Sequence, residues 1–212
     1  MPRVSDRLRV PVWLVLCWTL AGCVTPSARY AQIRLGAGVL GDYVQAVSGH
    51  GVIEEVRTHD VGPTAALAVG TEFDSWSFEL EAATRRHEHD ELRTRGINGG
   101  VIDLEGQVTM HTLMANALFE IDTGTPLRPF VGLGIGTTYL DVQTRTYVPS
   151  ERDLVLAAQG LLGLSWRYSE AVSLALTFRH LDNTVTSLRG GRRDFYDEYV
   201  SDSIELGLRV RF

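Results

Sequence analysis

Apolar and polar residues alternate through most of this chain with a period of two. In the last ten residues Ile204, Leu206, Leu208, Val210 and Phe212 share one face of a strand, and Ser203, Glu205, Gly207, Arg209 and Arg211 share the other. A strand at the end of a chain frays unless it is paired, so this one needs neighbours on both sides. Seven more stripes provide them: Ile33 to Val39, Leu67 to Phe73, Trp76 to Ala82, Leu113 to Ile121, Val131 to Tyr139, Leu154 to Trp166, and Val172 to Phe178. The sixth is the least regular, with Val155 and Leu161 on its polar parity.

The connections alternate in length. Asp74 with Ser75, Asp122 to Pro129, and Ser169 with Glu170 make short turns. Longer polar stretches run from Val44 to Val61, His87 to Ile102, Gln143 to Asp153 and Thr184 to Asp197. Short turns at one end and long loops at the other are the layout of an outer-membrane barrel. Alternation alone does not say which face points inward, since a soluble lipocalin-like barrel has the same period around an apolar lumen. The aromatics favour the membrane: Phe73, Trp76, Phe119, Phe130, Trp166, Tyr168 and Phe212 all fall at the short-turn ends, as an interfacial girdle requires. The expected fold is all-β, an eight-stranded antiparallel up-and-down transmembrane β-barrel over residues 30–212.

The N-terminus changes the picture. Arg3, Arg7 and Arg9 precede an apolar run from Val10 to Leu20, which reads as an export signal over residues 1–22. The following Leu20, Ala21, Gly22 and Cys23 resemble the lipobox of bacterial lipoproteins, and that resemblance implies cleavage before Cys23 and a lipid on its thiol. Residues 23–29 are then a periplasmic linker, both chain ends are expected on the periplasmic side, and the location is the bacterial outer membrane. Composition excludes other classes. A formal charge of −6 argues against nucleic acid, because phosphate binding needs a basic face. All 20 basic residues are arginine, the cation best suited to desolvated carboxylate pairs.

Arg128, Pro129, Phe130, Val131, Gly132, Leu133, Gly134, Ile135 and Gly136, with Glu79-Leu80-Glu81, Asn116 and the terminal aromatic strand, make the chain similar to the opacity-protein and OmpA-type eight-stranded barrel family. The resemblance implies that the last strand is read by the barrel-assembly machinery, and that the surroundings are outer-membrane lipid and lipopolysaccharide.

With the apolar face outward, the lumen receives Arg34, Glu72, Glu79, Glu81, Arg85, Glu120, Arg167, Arg179, Glu205, Arg209 and Arg211. An eight-stranded barrel is only wide enough for its side chains, so these should interlock as Arg–carboxylate pairs and plug the cylinder. A pair such as Glu79 and Glu81 is then structural rather than an acid/base couple. His87, Glu88, His89, Asp90 and Glu91 lack the spacing of a built metal site and read as a solvated loop; neither metal nor cofactor is expected. His180, Asp182 and Asn183 are similar to the His-x-Ser-Asn motif of outer-membrane lipid A deacylases, but Asp182 stands where the serine nucleophile belongs, so no catalytic residue is assigned. The expected role is structural, with the outer loops offering Arg189, Arg192, Arg193, Asp194, Phe195, Tyr196, Asp197 and Tyr199 to lipopolysaccharide, a host surface or a protein partner. A deacylase-like hydrolase, a small channel and a soluble lipocalin-like lipoprotein are the alternatives.

Overall fold

The structure is a computed structural model, and it describes residues 27–41, 43–48, 52–59, 61–95, 100–102, 106–144, 151–183 and 199–212. The signal, Cys23 and the whole stretch from Thr184 to Asp197 lie outside the described residues. Eleven strands run in chain order: β1 (Ala28–Leu40), β2 (Tyr43–Ser48), β3 (Val52–His59), β4 (Gly62–Phe73), β5 (Trp76–Arg95), β6 (Gly100–Ile102), β7 (Gly106–Glu120), β8 (Leu127–Thr144), β9 (Glu151–Arg167), β10 (Val172–Asn183) and β11 (Tyr199–Arg211). Eight of them, β1, β4, β5, β7, β8, β9, β10 and β11, pair antiparallel in that order, and β11 closes back on β1. Each of the eight stripes read from the sequence lies on one of these strands.

The register sets the shape. A row of paired residues starting at Arg29 passes through Thr71, Phe78, Ala117, Leu133, Gly160, His180 and Asp202, and returns to β1 at Val39, ten positions along. A stagger of ten residues over eight strands corresponds to a tilt of roughly 40° and about 2.5 Å of height per residue. The remaining strands extend the sheet at the long-loop end. The β2–β3 hairpin pairs with the far half of β5, and β6 pairs with Leu92 to Thr94. The segments Val44–Val61 and His87–Ile102, expected as polar loops, are therefore largely strand. Their backbone groups find partners by continuing the ladder, a choice that local polarity does not reveal.

The short turns follow their chemistry. Asp74 takes a left-handed conformation (φ 54°) between the paired Phe73 and Trp76, a backbone that aspartate tolerates. In the next turn Gly124 supplies φ 69° and its amide donates to Asp122 Oδ1 at 3.0 Å. Between Arg167 and Val172, the Val172 amide donates to Ser169 Oγ at 3.0 Å.

The wall is apolar outside and polar inside. Leu133, Ile135, Leu206, Leu67 and Leu113 are each more than 60% exposed, while Arg34, Glu79, Glu81, Arg179 and Glu205 are at most 4% exposed. Water does not sustain that inversion and lipid requires it, so the soluble barrel with an apolar lumen does not describe this chain. Val155 and Leu161, which broke the pattern of the sixth stripe, point inward and pack there. Val155 joins Leu40, Val108, Met110, Met114, Leu140 and Leu181 at the long-loop end, and Leu161 joins Leu118, Phe130 and Ala175 lower down. Glycine makes room for the large inward side chains. A Cβ on Gly70 would lie 2.6 Å from the Tyr30 ring, one on Gly163 2.5 Å from Phe130, and one on Gly134 2.0 Å from Asn116 Oδ1.

Candidate functional site: the filled lumen and the outer wall

The lumen holds its charges in two layers. In the central layer the Glu81 carboxylate, fully buried, accepts a two-pronged fork from Arg179, with Nη1–Oε1 at 2.5 Å and Nη2–Oε2 at 2.9 Å. It also pairs with Arg34, whose Nη2 reaches Glu79 Oε1 at 2.6 Å. Glu205 takes the second face of Arg179 at 2.9 Å. Neutral donors saturate the remaining oxygens: Tyr30 Oη donates to Glu79 at 2.9 Å, Asn116 Nδ2 to Glu79 at 3.0 Å, and Ser203 Oγ to Glu205 at 3.1 Å. Gln159 links the carbonyl of Asn116 to Arg179, donating at 2.7 Å and accepting at 2.7 Å.

The lower layer sits at the short-turn end. Arg209 bridges Glu72 and Glu120 at 3.1 and 3.4 Å, Arg211 holds Glu72 at 2.9 Å, and Arg167 reaches Glu120 at 3.3 Å. Arg209 also covers the Tyr30 ring at 4.1 Å and donates to Gln32 Oε1 at 3.1 Å; Gln32 in turn accepts from Arg34 at 3.2 Å, which joins the layers. A funnel of about 800 Å³ lined by Asp122, Arg128, Arg167 and Arg211 opens at this end and stops against Glu72. Arg85 stands apart. It is buried at 1% exposure, donates to Thr112 Oγ1 at 3.2 Å, and has no carboxylate within 4 Å among the described residues.

The sequence reading missed Tyr30, Gln32 and Gln159 as members of this network, although all three sit on the inward parity of their strands. Two other expectations need correction. Phe130 is no part of an outer aromatic ring: at 7% exposure it points into the lumen against the backbone at Gly163, because even-numbered positions of β8 face inward. His87 does not belong to a solvated loop. β5 runs straight through it, and its ring is fully buried in the lumen. The side chains of His89, Asp90 and Glu91 lie outside the described residues, and no cluster among the described residues could hold a metal ion. The other aromatics do gather at the short-turn end on the outside. Trp76 lies 5.0 Å from Phe119 and 6.4 Å from Phe78, Phe73 lies 6.0 Å from Phe78, and Trp166 lies 5.9 Å from Tyr168, while Phe212 is exposed beside them. At the opposite end His111 stacks on Tyr139 at 6.5 Å.

This closed, filled, apolar-walled barrel has solved counterparts. It is similar to neisserial surface protein A, with a TM-score of 0.58 and 14% identity over 87% of this chain and 97% of that one. The outer membrane protein OprG from Pseudomonas aeruginosa gives a TM-score of 0.58 and 16% identity over 89% and 98%. The fold is that of the eight-stranded outer-membrane β-barrels. A third such barrel, the outer membrane protein AlkL, matches at a TM-score of 0.51 with 14% identity over 100% of this chain and 97% of that one. No protein-family model matches the chain, and no curated protein matches it in sequence.

A polar pair stands on the outside of this barrel toward the long-loop edge of the apolar wall, where Thr84, His111 and Asp182 also face outward. His180 points outward from β10, and its Nδ1 stands 2.7 Å from Asp202 Oδ1 on β11, both side chains about half exposed. Asp202 was not singled out in the sequence, although it falls on the apolar parity of the last stripe. Among the described residues, the outward neighbours of His180 along its own strand and directly across on the adjacent strands are Phe178, Asp182, Gly160 and Asp202. None carries a hydroxyl, so the deacylase-like arrangement has a histidine and an acid without a nucleophile.

Proposed function

We propose that this protein is a closed outer-membrane anchor whose long-loop end serves as a surface for interaction or adhesion, with the short turns and both chain ends in the periplasm. The observation that carries this reading is the lumen: two joined layers of buried Arg–carboxylate pairs fill the cylinder where a pore would need water. The outer dimensions agree. The apolar band from Trp166 to Tyr139 spans about 25 Å on the strand geometry, the height of an outer-membrane belt. Above it, β5 continues to Arg95 and carries β3 and β6 beyond the apolar band, a stem for the loops. The sequence that joins β10 to β11, rich in arginine and aromatic residues from Arg189 to Tyr199, has the chemistry to suit phosphate groups, sugars or acidic partners. The ring of Phe73, Trp76, Phe119, Trp166, Tyr168 and Phe212 acts as the periplasmic girdle.

The test is conductance. The purified barrel in a planar bilayer is expected to give no steady ohmic current, and stable openings in the wild-type protein would sink the closed-anchor reading in favour of a channel. Deleting residues 184–198 should abolish adhesion to host cells or to lipopolysaccharide-coated surfaces while leaving heat-modifiable gel migration unchanged. For the anchor on Cys23, radiolabelled palmitate should be incorporated by the wild type and not by Cys23→Ser; equal labelling of both would place processing elsewhere.

A further inference from the structure

The chain enters the barrel below a hollow in its outer wall. Ser27 is tied to β4, its amide and its hydroxyl both donating to the Glu72 carbonyl, at 2.8 and 2.9 Å. That contact turns the incoming chain toward β4 and away from β11, which flanks β1 on the other side. On the strand geometry Ser27 stands roughly 8 Å below Thr71, in the same sector of the wall. A groove of about 430 Å³ starts there between Arg29 and Thr71, climbs between Val69 and Phe78, and ends past Leu80 at Ala115. Val69, Phe78 and Leu80, each at least half exposed, form its sides, and the short side chains of Thr71 and Ala115 form its floor. From Arg29 to Ala115 it rises about 14 Å, a little over half of an apolar band of about 25 Å.

We infer that this groove seats one acyl chain of the protein's own lipid, carried on Cys23. The inference rests on the Cys23 anchor proposed above. Reach carries the argument. Cys23 precedes Ser27 by four residues, and an extended chain covers at most about 3.6 Å per residue, so its thiol lies within roughly 14 Å of Ser27. A lipid fixed there enters the inner leaflet inside that radius, and the mouth of the groove is inside it too. Length agrees as well, since the groove runs upright through the depth of one leaflet and stops near the middle of the band. At the mouth, exposed Arg29 supplies donors at the height where the ester carbonyls of a glyceryl-linked lipid lie. The tether decides between this chain and a free phospholipid. Its first carbons are already held at the mouth, so seating it orders little more than the tail, whereas a free lipid also gives up its lateral freedom. The seated chain fastens the start of β1 to the wall of β4 and β5.

The experiment labels the full chain in growing cells with a fatty acid that carries a photoreactive diazirine in mid-chain. After illumination, mass spectrometry reads which peptides have become joined to the lipid of the Cys23 peptide. Crosslinks to the wall from Val69 to Leu80 should outnumber those to Leu164 and Leu176, a paired couple on the opposite side of the barrel, about tenfold. Thr71→Trp fills the floor of the groove with a ring suited to the interface, and should bring that ratio to about one while heat-modifiable migration stays that of a folded barrel. An even spread of crosslinks on the wild type, an enrichment that survives Thr71→Trp in the folded barrel, or a groove labelled only by free phospholipid overturns the inference. The same spectra separate it from the reading beneath it. A lipid on Cys23 whose crosslinks are spread evenly removes only the seat, whereas a mature chain without that lipid removes the anchor and the seat together.

Discussion

Glu81→Ala is expected to cost about 3–5 kcal/mol of barrel stability, because it removes the carboxylate that Arg34 and Arg179 share and leaves their charges in excess in a sealed lumen. The penalty is that of an uncompensated buried charge, larger than the net worth of the pair itself. Urea unfolding of the barrel in lipid vesicles, followed by the fluorescence of Trp76 and Trp166, measures it. Glu81→Gln should fall between the wild type and Glu81→Ala, since the amide oxygen still accepts from one guanidinium. Arg85→Met provides the contrast. Arg85 is as deeply buried, but its described partners are limited to the Thr112 hydroxyl, so an apolar side chain of similar length should cost under about 1 kcal/mol or stabilise. If Glu81→Ala unfolds at the wild-type urea concentration, the central layer is not what holds the strands together.

Leu206→Arg should cost about 2–4 kcal/mol and reduce insertion into vesicles, because the side chain stands 69% exposed on the outer face near the middle of the belt. Its neighbours in the row, Leu35 on β1 and Leu176 on β10, offer no counter-charge. Ser203→Ala, on the same strand but facing inward, removes one hydrogen bond to Glu205 and should cost only about 1 kcal/mol. The pair distinguishes the two faces by folding yield rather than by appearance. Equal yields for Leu206→Arg and the wild type would mean that this face does not meet lipid.

Much of this was legible along the chain because a strand in a barrel has a period of two and its two faces meet opposite solvents. That logic placed Arg34, Glu79, Glu81 and Glu205 on one parity and Leu35, Leu80 and Leu206 on the other, and it located all eight barrel strands. It failed where parity was right but local composition misled. Phe130 is aromatic and near a short turn, yet its even number on β8 turns it inward to lie over Gly163. His87 sits in a polar run, yet the ladder from β5 to β7 continues through it and buries the ring.

The sequence by itself determined the number of barrel strands, their faces and the ends at which they turn, since each of these depends on residues near one another in the chain. Only the tertiary structure decided which charges meet. Arg34 finds Glu81 across 47 positions and Arg179 finds it across 98, and the stagger of ten residues sets those encounters by matching heights on opposite walls. The same stagger brings Asp202 beside His180 and leaves Gly160 open next to both. Periodicity gives each side chain its direction, but its partner depends on the register of every strand between them, and register belongs to the closed barrel as a whole.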